Sequence, residues 1–198
     1  HSWGEFLVSE GLVDPVQHRA MNDKFYDDYK KGQLDPYAYN EFVFQFLTQH
    51  DNDYLVELHQ LFMQKVIRPQ MRPEGFKAIE RHREAGHALV GITATSDFIT
   101  APIFREFGIT EIIATNAEVI DGKYTGKVIN TACYQQGKLV RLEQWLEGRD
   151  VTESWAYSDS INDRFLLEYA DHAIAVNPDD RLETLAKEQG WEIQDWSI

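Results

Sequence analysis

Residues Trp155-Ala-Tyr-Ser-Asp159-Ser-Ile-Asn-Asp163 decide how the rest of the chain is read. A short apolar run ends in Asp159, Ser160 and Asn162 are helix-opening residue types, and Phe165-Leu-Leu-Glu-Tyr169 carries on as a helix. A strand that passes directly into a helix puts Asp159 at the carboxyl edge of a sheet, where open α/β sheets hold their ligands. Asp163 then falls in the first helical turn, close to Asp159. Two carboxylates so placed repel each other unless something positive lies between them, and a hard cation such as Mg²⁺ meets that need. The plainer alternative is that Asp159 caps the helix and Asp163 favours its amino-terminal dipole.

Working outward, the chain from Pro73 alternates between helix and strand. Helices are expected at 74–85, 97–107, 139–146, 165–169 and 182–188, and strands at 87–92, 111–114, 155–157, 172–176 and 191–193. Gly86 and Gly108 stop two of the helices, and Asp121-Gly122 reads as a hairpin turn. This order is that of an α/β domain with a mostly parallel sheet covered on both faces. Residues 1–70 differ, because every apolar pattern there has helical spacing. Trp3, Phe6 and Leu7 share one face. Pro15 opens a helix with Met21, Phe25 and Tyr29 that ends near Gly32, and Pro36 opens one with Tyr39, Phe42, Val43 and Phe46. Asp53 is the expected cap of a fourth, which carries Leu55, Leu58, Phe62 and Val66. His50-Asp-Asn-Asp53 lacks the glycine and distal glutamate of a calcium loop and reads as a polar turn.

Composition narrows the function. The net charge of −14 argues against nucleic acid or an anionic membrane as partner, while a local lysine, a metal and backbone amides still allow an anionic substrate in a cleft. The single cysteine, Cys133, excludes an intramolecular disulfide and suits a cytoplasmic setting. No apolar run approaches the roughly 20 residues of a membrane helix.

Two further positions bear on chemistry. Thr93 is the first polar residue after an apolar strand, so its hydroxyl, with backbone N–H groups such as that of Ala94 behind it, suits a phosphate oxygen. One of Thr95, Ser96 and Asp97 is expected to cap the following helix. Lys138 stands just ahead of the helix at 139–146, on the wrong side of the helix dipole unless it faces carboxylates or a bound phosphate. Arg68 and Arg72 are weighed as head-group ligands, against the plainer reading that they are surface or packing residues.

Gly91-Ile-Thr93, Gly137-Lys138 and Asp159-Ser-Ile-Asn-Asp163, in that order, resemble motifs II, III and IV of the haloacid dehalogenase superfamily, in its phosphoserine-phosphatase-like branch with a helical cap. The resemblance covers essentially the whole chain. It implies a Rossmann-like three-layer α/β/α core at 71–198, a cap at 1–70 and Mg²⁺-dependent hydrolysis of a small phosphorylated metabolite, phosphoserine or histidinol phosphate among them, through an aspartyl-phosphate. Thr93, Ala94, Lys138 and Asn162 would bind phosphate. Thr93, Lys138 and Asp159 would serve catalysis. Asp159 would hold the metal, with Asp163 positioning it or a metal-bound water. One element of the pattern is absent: the Asp-x-Asp of motif I, which supplies the nucleophile and the general acid/base on the central strand. The resemblance therefore implies a further strand and loop ahead of His1, and no turnover by these 198 residues alone. A phosphotransferase and a non-catalytic phospholigand-binding module remain the alternatives.

Overall fold

The computed structural model describes residues 1–197. Four helices form the first part: α1 (Ser2–Ser9), α2 (Pro15–Lys31), α3 (Pro36–Leu47) and α4 (Asn52–Phe62). Asp14 and Asp35 cap α2 and α3, each accepting two backbone N–H bonds just ahead of a proline at the first helical position. Asp51, not Asp53, caps α4 by accepting from Tyr54 N–H; its backbone is extended, while Asp53 already lies inside the helix. Trp3, Phe6, Leu7, Phe44, Leu47, Leu55 and Phe62 pack into one cluster that also takes in Ile99 and Ala117. The helical part is thereby fixed to the α/β part through shared apolar burial. Met21 departs from its expected stripe: it is exposed, and Phe25 is the buried apolar residue of α2.

A π-helical turn and a 3₁₀ turn lead to α5 (Pro73–Glu84). Then come β1 (Val90–Ser96), α6 (Asp97–Glu106), β2 (Glu111–Thr115), the hairpin β3 (Ala117–Ile120) and β4 (Lys123–Val128), and α7 (Gln136–Leu146). The chain closes with β5 (Trp155–Ser158), α8 (Arg164–Tyr169), β6 (His172–Val176), α9 (Asp180–Gln189) and β7 (Glu192–Gln194). Asp121 and Gly122 both have positive φ, the conformation a two-residue hairpin turn requires. β1 begins three residues later than the pattern suggests and runs on past Thr93, because its ladder with β2 resumes at Ser96 opposite Thr115.

All pairing outside the hairpin is parallel, and it falls into two separate sets: β1 with β2, and β5–β6–β7 in that order. Ala173 and Ala175 of β6 pack on Leu167, Leu182 and Ala186, so α8 and α9 cover one face of the second set. Among the described residues no strand joins the sets, and β1 and β5 each keep one free edge. Among those residues, too, no helix is long and apolar enough to cross a membrane.

Candidate active site

Lys138, Asp159 and Asp163 lie close together just past the end of β5, while Thr93 sits within β1 with its backbone against Cys133. Register between β1 and β2 is regular from Val90 opposite Glu111 to Ile92 opposite Ile113, then shifts before Ser96. Thr93, Ala94 and Thr95 bulge out in that interval, and Thr93 Oγ1 accepts from Thr95 N–H at 3.2 Å. Thr93 is thus the first residue of a bulge and not the first beyond the strand. Ala94 packs on the cluster of Phe25, Leu34 and Tyr134. The Thr93 backbone lies against the buried Cys133 thiol, whose pKa burial pushes up. Of the three residues expected as helix cap, Ser96 occupies the position but its hydroxyl has no protein partner; Asp97 Oδ1 accepts from Phe98 N–H instead.

Lys138 is inside α7 at its third residue, not ahead of it. The cause is a tight loop in which Gly137 N–H donates to Tyr134 O and Lys138 N–H to Gln135 O. A Cβ on Gly137 would stand 2.3 Å from Ala132 O, so only glycine fits there. The loop turns the lysine inward. Its Nζ donates to Asp163 Oδ1 at 2.5 Å; the lysine is buried and the aspartate part-buried. Desolvation alone would pull the Lys138 pKa down, but the Asp163 charge and hydrogen bond outweigh it, and the net shift is upward.

Asp163 takes its second bond from Ser158 Oγ at 2.8 Å. Ser158 escaped the sequence reading because a serine at a strand end looks like any other. Ser160, not Asp159, is the capping residue, accepting from Asn162 N–H. Among the described residues no other side chain donates a hydrogen bond to the Asp159 carboxylate, and the residue is exposed overall. Its carboxyl is nonetheless partly desolvated, which raises its pKa; Asp163 and Asp179 add to the rise, while its own amide and Lys138 oppose it. An open carboxylate beside Asp163, whose two oxygens are both hydrogen-bonded, is a hard oxygen donor of the kind Mg²⁺ takes. It is one donor only. Among the described residues, the grouping of three His, Cys, Asp or Glu ligand atoms within 4.8 Å of one another is His1, Glu5 and Asp23, mostly exposed and among the amino-terminal helices.

Asn162 is buried, and its amide is committed: Nδ2 donates to Tyr29 O of α2 at 3.0 Å, and Oδ1 accepts from Gln135 Nε2 at 3.3 Å. Arg68 pairs with Glu106, and Arg72 donates to Trp196 O, so neither reaches this group. A cavity of about 490 Å³, lined by His82, His87, Trp155 and His172 among others, opens at the other end of β5 and β6, where those strands begin. It has no part in the chemistry argued for Asp159.

The model of haloacid dehalogenase-like hydrolases matches residues 2–168. The chain belongs to that family. A histidinol-phosphatase of Neisseria meningitidis is 40% identical over 199 residues, which cover 98% of this chain and 90% of that protein. A phosphoserine phosphatase of Mycobacterium tuberculosis is 36% identical over 146 residues, covering 73% of this chain but 47% of its own length. A crystal structure of a Bordetella pertussis protein superposes with a TM-score of 0.91 at 38% identity, covering 99% of this chain and 91% of that one. A substrate-bound phosphoserine phosphatase shares the fold at a TM-score of 0.65 and 16% identity, with 100% of this chain and 86% of that one covered.

Proposed function

We infer that the protein hydrolyses a small phosphomonoester, with histidinol phosphate the first substrate to test. Family membership and the phosphatases among its relatives support a phosphoric monoester hydrolase. The near full-length similarity to a histidinol-phosphatase favours that ester over phosphoserine. The observation that carries the reading is the arrangement at the end of β5: a buried Lys138–Asp163 pair beside the open Asp159 carboxylate.

On this reading Asp159 contributes a ligand to Mg²⁺, which when bound offsets the negative charge of the transferring phosphoryl group. Asp163, with both oxygens occupied, fixes the ammonium of Lys138 and so the geometry around Asp159. Lys138 supplies positive charge toward the phosphate and the attacking group. Thr93 and the Ala94 amide, presented by the bulge, donate to phosphate oxygens. The reading also requires an attacking carboxylate and an acid/base partner, and the free edges of β1 and β5 would accept one more parallel strand carrying both. The carboxylate attacks phosphorus, the ester P–O bond breaks and the alcohol leaves with a proton from the partner acid. Water then cleaves the aspartyl-phosphate to inorganic phosphate.

The test is phosphate release by the protein as its gene encodes it, from histidinol phosphate, phosphoserine and simple sugar phosphates, with Mg²⁺ and with chelator. Release from histidinol phosphate at the highest kcat/KM, abolished by chelator, is the expected result. Binding without release would point to a phospholigand-binding module. Transfer to an added alcohol in preference to water would point to a phosphotransferase.

A further inference from the structure

The carboxyl end of α2 is held by side chains from three separate segments of the α/β part. A helix ends with carbonyls that have no partner of their own, and they carry its negative dipole end. Here Tyr29 O, which also accepts from Gly32 N–H, takes a bond from Asn162 Nδ2 at 3.0 Å, Lys30 O one from Arg181 Nη2 at 2.5 Å and Gly32 O one from Gln135 Nε2 at 3.1 Å. Gln135 also reaches Tyr134 Oη at 3.2 Å and Asn162 Oδ1 at 3.3 Å, so its amide sits at the centre of the group. A Cβ on Gly32 would lie 3.3 Å from Gln135 Nε2, a close approach.

The backbone of Gln135 is unusual too. It has φ 46° and ψ −121°, a region that glycine fills easily and other residues rarely adopt. A glutamine kept in that conformation implies that its side chain has a use there. Its carbonyl accepts from Lys138 N–H, which closes the loop that turns Lys138 toward Asp163. One residue therefore touches the helical cap with its side chain and the lysine loop with its backbone.

We propose that Gln135 is a positioning residue that latches the carboxyl end of α2 over the end of β5, and so sets how firmly the cap closes on a substrate. The inference rests on the phosphatase reading for its kinetic consequence, but not for the latch itself. Gln135→Glu keeps the side chain's size while placing a carboxylate against the Gly32 carbonyl and the Asn162 Oδ1. Arg181→Ala removes a second, exposed member of the latch that has no bond to the lysine loop.

In the full-length protein, hydrogen exchange at the amides of residues 29–35 should quicken at least fivefold in Gln135→Glu, and by a smaller factor in Arg181→Ala. Exchange within β6 should be unchanged. With phosphomonoester substrate, KM should rise about tenfold in Gln135→Glu while kcat stays within about threefold. Gln135→Gly, which relieves the backbone but loses the side chain, should show the same rise in KM. Unchanged exchange at 29–35 in both Gln135→Glu and Arg181→Ala overturns the latch. A loss of kcat at constant KM overturns the positioning role. Should the unaltered protein release no phosphate from any ester, the phosphatase reading fails, and the exchange measurement alone still decides the latch.

Discussion

Lys138 and Asp163 bind each other at 2.5 Å, with 6% and 14% of their side-chain surfaces exposed. A buried pair gains from mutual attraction only what remains after both charges leave water, but removing one partner strands the other. Lys138→Met is therefore expected to cost about 3–5 kcal/mol in urea unfolding, a range typical of broken buried pairs. The double variant Lys138→Met, Asp163→Leu should recover part of that stability and none of the activity. A single variant as stable as the parent would show that the pair is not buried as described.

His59 gives the stability a pH dependence. Its ring is buried, stacks on Trp3 at 5.9 Å and bonds the Ile99 carbonyl from Nε2 at 2.9 Å. Burial pulls its pKa below 6.5, although hydrogen bonding to the Ile99 carbonyl opposes the shift. The unfolded chain then takes up a proton more readily than the folded one. This contribution is complete above pH 6.5 and is lost as pH falls below 6.5 toward the folded value. Unfolding free energy should fall between pH 7.5 and pH 5.5, with a shallower fall in His59→Gln. His18 and His82 are shifted in the same direction but are less enclosed, so they weaken the contrast without reversing it. Equal slopes for the two proteins would remove His59 from the account.

Gly137→Ala places a methyl group against the Ala132 carbonyl, where the separation would be 2.3 Å. Backbone has to move, and the loop that aims Lys138 moves with it. Loss of about 2 kcal/mol or more of stability is expected from a forced shift of this kind, together with a fall in turnover. Gly137 does not have a positive φ, so the clash with Ala132 O is the cause of the loss; Gly148→Ala, at φ 74° with open space around it, shows by contrast what backbone strain without a clash costs.

Much of this architecture was legible because local chemistry and tertiary packing agree. Pro15 and Pro36 marked the starts of α2 and α3, glycines the ends of α2 and α5, and Asp121-Gly122 the hairpin. The strand–Asp–helix order placed Asp159 at the end of β5 without coordinates. Legibility failed where a position is set by a partner distant in sequence. The bulge at Thr93 follows from the resumed pairing of Ser96 with Thr115, and no nearby residue announces it. Gln135 reads as a polar loop residue until Gly32 and Asn162 are seen beside it. Gly137 was the one available signal that the segment ahead of Lys138 is tight.

Phosphate-ester hydrolysis as proposed depends above all on Asp159 being the open carboxylate that binds metal. The most direct measurement is phosphate release from histidinol phosphate by the Asp159→Asn protein at saturating Mg²⁺, with fold checked by circular dichroism. A correctly folded variant that has lost at least two orders of magnitude in kcat is the result expected here. Turnover within about threefold of the parent would contradict the assignment of Asp159, and with it the site proposed at the end of β5.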